Sequence, residues 1–165
     1  MIILKTTGIV RKIDELGRVV IPKELRKNLN IHTGDDFQII VDDERIILER
    51  YSRLVNVESE IIKIVNVFKN VYKYNIYIVY NNKFMCSKQE VSKNIIEIIQ
   101  QRKKYISDNK LQLCINNENI TGKLIIDPIV FDSDLLGAII IVGMDNVNYM
   151  ESVSMVIKEL IKKNL

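Results

Sequence analysis

Hydrophobic and polar positions change period along the chain, and the changes divide it into elements. Gly8–Asp14 and Arg18–Ile21 are rich in β-branched residues, with Leu16-Gly17-Arg18 between them, which predicts two short strands joined by a turn. Pro22 ends the second strand; its φ is fixed and it has no N–H to lose, so it suits the first position of a helix. Lys23–Leu29 then places Leu25 and Leu29 four apart on one helical face, and Asn30 and Gly34 end those turns. In Asp36–Asp42 the apolar residues Phe37, Ile39 and Val41 alternate, the period of a strand with one covered face. Asp42-Asp43-Glu44 turns the chain into Arg45–Arg50 and completes a hairpin.

A new pattern starts at Ser52-Arg53-Leu54-Val55 and places a domain boundary there, giving domains 5–53 and 54–165. From Glu58 to Tyr74, Ile61, Ile64, Val65, Phe68, Val71 and Tyr72 fall on one side of a helix. Ile76–Tyr80, the turn Asn81-Asn82 and Lys83–Cys86 predict a strand pair. Ser87-Lys88-Gln89-Glu90 has the form of a capping box opening a helix that carries Ile95, Ile98 and Ile99 to about Lys104. Strands are expected at Leu111–Ile115, Lys123–Phe131 and Leu135–Val142, the last two joined by Asp132-Ser133-Asp134. A closing helix begins near Val147, with Val153, Val156, Ile157, Leu160 and Ile161 on one face. Helix, two strands, helix, three strands, helix is an α+β layout: an antiparallel sheet with helices packed on it.

The two parts differ in how they can be stabilised. The 165 residues are 47% hydrophobic, enough for a core in the larger part. Four short strands and a two-turn helix are another matter, because below about 60 residues burial is too incomplete to offset chain entropy comfortably. The two cysteines, Cys86 and Cys114, form no disulfide framework for it, and no metal-ligand cluster compensates. Two copies sharing one barrel would supply the missing core, so a dimer is a physical expectation.

Charge sharpens the picture. The formal net charge is +3, but Lys5–Lys27 holds seven basic and three acidic residues, and Asn28–Arg53 holds three basic and six acidic. The first stretch, at +4, reads as a polyanion footprint; the alternative is a solvated surface whose cations pair locally, Arg18 with Asp14 or Glu15, and Arg26 and Lys27 with Glu24. A two-fold dimer would duplicate Arg11, Arg18 and Arg26 across its axis and match a pseudo-palindromic duplex.

Thr7-Gly8-Ile9-Val10-Arg11-Lys12-Ile13-Asp14-Glu15-Leu16-Gly17-Arg18-Val19-Val20-Ile21-Pro22 resembles the signature of the AbrB/SpoVT family of bacterial transition-state regulators. The likeness continues through Glu24-Leu25-Arg26-Lys27 and Val41-Asp42-Asp43-Glu44-Arg45-Ile46-Ile47-Leu48, about residues 5–52 in all. It implies an all-β swapped-hairpin barrel shared between two chains, and places Arg11, Lys12, Arg18, Arg26 and Lys27 at its DNA-binding positions. Lys27 departs from the arginine of the best-known member: it keeps the attraction to phosphate but lacks the two-pronged fork that reads a base edge.

Asp127-Pro128-Ile129-Val130 followed by Leu136-Gly137-Ala138-Ile139-Ile140-Ile141 is a fainter echo of a GAF-type sensor domain, antiparallel sheet with flanking helices. An AbrB-like head before a GAF-like body resembles the stage V sporulation protein T subgroup. That resemblance implies a homotetramer of two swapped dimers and a sporulation or stationary-phase regulator bound to promoter or operator DNA. It also leaves room for a small-molecule effector, which the sequence does not identify. Tyr77, Tyr80, Cys86 and Cys114 lie on or beside the predicted strands, where such residues usually serve packing.

Other functions fit less well. No GxxxxGK[ST] loop, GxGxxG turn or HExxH helix is present, and the single His32 provides neither a triad nor a two-histidine metal site, so an enzyme, cofactor or metal is not expected. Leu135–Met144 is about half a membrane span and Met1–Leu4 is too short for a signal-peptide core, which points to a cytoplasmic, nucleoid-associated protein. Two alternatives stand beside the regulator. One is an antitoxin-like protein that neutralises a partner enzyme; the other is a ligand-binding protein whose barrel only oligomerises.

Overall fold

The computed structural model describes residues 7–29, 31, 33–115 and 118–165, in two compact units, 1–51 and 52–165. Asn30, His32 and the residues before Thr7, among them Lys5, lie outside the described residues, and with them the expectations placed on them.

In the first unit, helix α1 (Lys23–Asn28) follows Pro22, and strands β1 (Phe37–Asp42) and β2 (Arg45–Arg50) form an antiparallel hairpin. The register pairs Ile39 with Leu48 and Val41 with Ile46, so these four side chains share one face. Gly8–Asp14 and Arg18–Ile21, expected as strands, form no ladder. A strand is a pairing state, and among the described residues the two segments meet each other through one backbone bond, Asp14 N–H donating to the Arg18 carbonyl at 3.1 Å. Not one described residue of the unit is buried. Ile39 is 70% exposed and Ile46 72%, and Val10, Val20 and Val41 are equally bare.

The second unit is built the opposite way. After a single turn, α2 (Arg53–Asn56), come α3 (Glu58–Tyr72), β3 (Asn75–Tyr80), β4 (Lys83–Phe84), α4 (Lys93–Gln100), β5 (Tyr105–Ile115), β6 (Glu118–Phe131), β7 (Asp134–Gly143) and α5 (Val147–Lys162). The five strands form one antiparallel sheet in the order β4-β3-β7-β6-β5. Ile125, Ile139 and Ile141 point to the face covered by α2, α3 and α5, where Leu54, Ile61 and Ile157 meet them. Leu124, Ile126, Ala138 and Ile140 point to the other face and meet Ile95 and Ile99 of α4. Residues 138–142 are therefore apolar without alternation because both faces of β7 are covered. Each such side chain contributes about 1.5–3 kcal/mol by leaving water.

Two hairpins close on two-residue loops. Asn81 and Asn82 (φ 46° and 61°) join β3 to β4, and Asp132 and Ser133 (φ 48° and 70°) join β6 to β7. These loops need positive φ at both positions, which Asn and Asp tolerate best among residues bearing a side chain.

Asp127 is the buried charge of this core. It lies on β6 facing α5, and its carboxylate accepts hydrogen bonds from Ser154 Oγ and Lys158 Nζ, with Lys104 Nζ at 3.6 Å. Lys104 is also paired with Glu151 at 2.7 Å.

Two expectations need correction. Ser87 does not cap a helix: its Oγ accepts from Gln89 N–H at 3.3 Å in a local turn, Glu90 bridges back to Lys83, and α4 begins only after Ser92. The helix also stops at Gln100, and Tyr105–Lys110, which lacks alternating apolar residues, belongs to β5. Pairing with β6 recruits it, with an irregular stretch between Ser107 and Leu111.

Gly137 shows how tightly β7 packs. A Cβ there would stand 2.1 Å from the Val79 carbonyl oxygen and 3.0 Å from Leu54 Cδ1. Gly137→Ala is expected to lower stability by about 3 kcal/mol, read as a shifted urea midpoint with the helical circular dichroism retained.

Candidate nucleic-acid interface

The five basic residues singled out from sequence all belong to the first unit, on two short structures. The first is a turn built by Asp14. Its Oδ1 accepts from the backbone N–H of Leu16 (3.0 Å) and of Arg18 (2.8 Å), and Gly17 N–H donates to its carbonyl (2.9 Å). Gly17 has φ 75°, a conformation in which a Cβ would be strained. The turn sets Arg11 and Lys12 on one arm and Arg18 on the other.

Arg18 Nε also donates to Asp14 Oδ2 at 2.8 Å, the local pair that sequence offered as the alternative to a binding role. The pair does not withdraw Arg18 from solvent, since its side chain stays 70% exposed. Three bonds converge on one carboxylate, first that from Arg18 N–H, then the guanidinium, then Leu16 N–H, and hold the Asp14 carboxyl below the usual aspartate range. Arg11 Nη1 donates to the Val10 carbonyl at 3.0 Å.

The second structure is α1, whose last turn carries Arg26 and Lys27. Both are exposed, and neither they nor Lys12 form an ion pair among the described residues, so the Glu24 pairing is not made. The acidic counterpart of this basic set is at the β1–β2 turn, where Asp42, Asp43 and Glu44 are exposed.

In the second unit, Tyr77 lies under the Lys69 ammonium (5.2 Å to the ring centroid), and the Tyr80 hydroxyl accepts from Lys88 Nζ at 2.8 Å. Cys86 and Cys114 are free, exposed thiols. Nothing in the sequence separates Lys69 and Lys88 from the other lysines of an amphipathic helix and a polar loop.

Comparison with known proteins respects the same division. The family model described as antidote-toxin recognition MazE, bacterial antitoxin, matches residues 10–55. The model of the stage V sporulation protein T C-terminal, transcription factor, matches residues 76–163. Stage V sporulation protein T of Bacillus subtilis (strain 168) is 32% identical over 154 residues, which is 86% of each protein. The transition state regulatory protein AbrB of the same organism is 65% identical over 48 residues, 29% of this chain and 50% of AbrB. Among solved structures, the N-domain of the transcription factor abrB is 64% identical, covering 29% of this chain and 92% of that one, with a TM-score of 0.27. The N-terminal DNA recognition domain of the Bacillus subtilis transition-state regulator AbrB is likewise 64% identical, covering 29% and 91%, with a TM-score of 0.25. No helix among the described residues is long and apolar enough to cross a membrane. With a relative matched along most of both chains, and a family model matched over more than half of this one, the chain belongs to the stage V sporulation protein T family of AbrB-like transition-state regulators.

Proposed function

We propose that this protein is a DNA-binding transcriptional regulator that works at the nucleoid as a homo-oligomer, with Arg11, Lys12, Arg18, Arg26 and Lys27 meeting double-stranded DNA. The observation that carries the reading is the 65% identity to AbrB over 48 residues. The exposed apolar face of the β1–β2 hairpin supports a second copy as its cover, in the manner of a swapped-hairpin barrel. The partner strands that Gly8–Asp14 and Arg18–Ile21 lack would then come from the other chain. The proposed domains, 5–53 for DNA and 54–165 for sensing or assembly, differ from the two compact units by only two residues at their junction. An antiparallel sheet covered on both faces supports a GAF-like reading of the second domain, as a seat for an effector and for pairing two dimers into a tetramer.

The MazE match at residues 10–55 keeps an antitoxin reading in view, because the same barrel would serve there. In this chain the matched segment leads into a domain with two buried cores rather than a free segment for wrapping a toxin, which favours the regulator. Co-purification of a stoichiometric enzyme would reverse that preference. Lack of salt-sensitive DNA binding, together with a ligand in the second domain, would instead favour a barrel that only oligomerises.

Arg18→Ala is expected to abolish specific operator binding in a gel shift while sedimentation still reports the oligomer; unaltered affinity would remove Arg18 from the interface. Affinity of the native protein should fall by about 0.9 log unit per log unit of salt for each phosphate neutralised. If two chains share one core, the unfolding midpoint of the first unit must rise with protein concentration, and a midpoint independent of concentration would reject the shared barrel. The Asp14 carboxyl, depressed by its bonds, is expected to titrate below the ordinary value of about 3.9 in carboxyl NMR. Its support of the turn is present above the usual aspartate range and is lost as pH falls through the depressed value. Arg18→Ala should move that titration upward.

A further inference from the structure

Helix α3 and the β3–β4 hairpin enclose a groove with a cavity volume of about 70 Å³ and a mouth open to solvent. Typical small-molecule sites run from roughly 300 to 1,000 Å³, so this groove suits only a short, slender occupant that leaves part of itself in water. Its floor is aliphatic, formed by Ile61, Val65, Ile78 and Met85, all of them core residues. Asn66, Lys69 and Cys86 stand along the lining with them. The wall beyond β4 is held in place by its backbone: Met85 N–H donates to the Ile78 carbonyl at 2.8 Å and Lys88 N–H to the Phe84 carbonyl at 2.9 Å. Lys88 Nζ then ties the adjoining turn to α3 through Glu58 Oε1 and to β3 through the Tyr80 hydroxyl, each at 2.8 Å. Burial pulls the Lys88 ammonium down, but these two partners outweigh it and hold the group protonated.

The charges on this lining select a ligand class. Lys69 is the one ionised side chain among the lining residues, and no carboxylate lies within ion-pair distance of it among the described residues. Its ammonium sits over the Tyr77 ring, whose phenol is kept neutral by burial. The nearby acid, Glu58, is already paired with Lys88 and offers an incoming anion little repulsion. A single ammonium offers one positive charge, which matches a singly charged head group. With no acid on the lining, the ammonium of an amino acid would meet no opposite charge there, which disfavours zwitterions.

We infer that this groove binds a monocarboxylate with an apolar body, the carboxylate on Lys69 and the body on the Ile61–Ile78–Met85 floor. This names the chemistry of the effector in the proposed function, yet its test involves no DNA, so failure here leaves the DNA reading standing.

The chain carries its own reporter and control: Cys86 lines the groove, while Cys114 is exposed on β5, away from the lining residues. The full-length protein is alkylated with iodoacetamide, with or without hexanoate, and each cysteine is tracked by peptide mass. At about ten times its half-protecting concentration, hexanoate is expected to slow Cys86 roughly tenfold and leave Cys114 unchanged. The neutral analogue hexanamide is expected to give no protection. Lys69→Met should abolish protection with the thermal midpoint intact, and Lys69→Arg should restore it. Equal Cys86 rates with and without hexanoate would overturn the inference. So would equal protection by hexanamide, equal slowing of Cys114, or protection that survives in Lys69→Met.

Discussion

The constraint on which the rest depends is that the first fifty residues hold more apolar surface than they can cover. Ile39, Val41, Ile46 and Leu48 share one face of the hairpin, and all four are exposed. Four aliphatic side chains left in water forgo about 1.5–3 kcal/mol each, a large share of what a domain of this size commands. In the proposed barrel, folding of this unit and pairing of two chains become one event, and the cations reach DNA as a two-fold set. Binding strength then depends on protein concentration as well as on contacts, because only the paired form presents the complete footprint.

The second unit meets the opposite condition. Its sheet is covered on both sides, and its central strand can be wholly apolar because neither face meets water. Asp127 is the exception. A buried carboxylate is costly unless its oxygens are satisfied, and Ser154, Lys158 and Lys104 reach it from α5 and from the segment leading into β5. Such a partnership adds little to stability relative to an apolar substitute. It does penalise any register of α5 that would leave the charge unmatched.

The legibility of these features in the sequence obeys the same physics. Patterns that report local energetics were readable: the stripe Ile61–Val65–Phe68–Tyr72, the paired asparagines at 81–82, and the uninterrupted run in β7. Ser87–Glu90 misled because a capping box also fits a short polar turn, and only the bridge from Glu90 to Lys83 distinguishes the two. Tyr105–Lys110 was missed because an edge segment recruited by pairing to β6 need not show a period of its own. Gly8–Asp14 and Arg18–Ile21 failed for another reason: their strand character describes a ladder that their own unit does not complete. As for the candidate site, its basic residues were legible through a motif, whereas Lys69 owes its position to a groove whose walls lie far apart in sequence.

Arg18 and Asp14 unite structure and recognition in one turn. In the proposed interface, a carboxylate beside Arg18 subtracts from the attraction to phosphate, and that loss grows as salt is lowered. Against it stands the order that Asp14 imposes: the same carboxylate holds Leu16 N–H, Arg18 N–H and Arg18 Nε. A flexible arginine forfeits about 0.5–1.5 kcal/mol when it is immobilised at an interface, and one already held loses less. Because the pair is exposed, solvent and salt screen its Coulomb energy and leave it small. The turn therefore gains orientation at little expense in affinity. An acid four residues before Arg18 is consistent with the proposed recognition role: it aims the side chain while leaving most of it open to solvent.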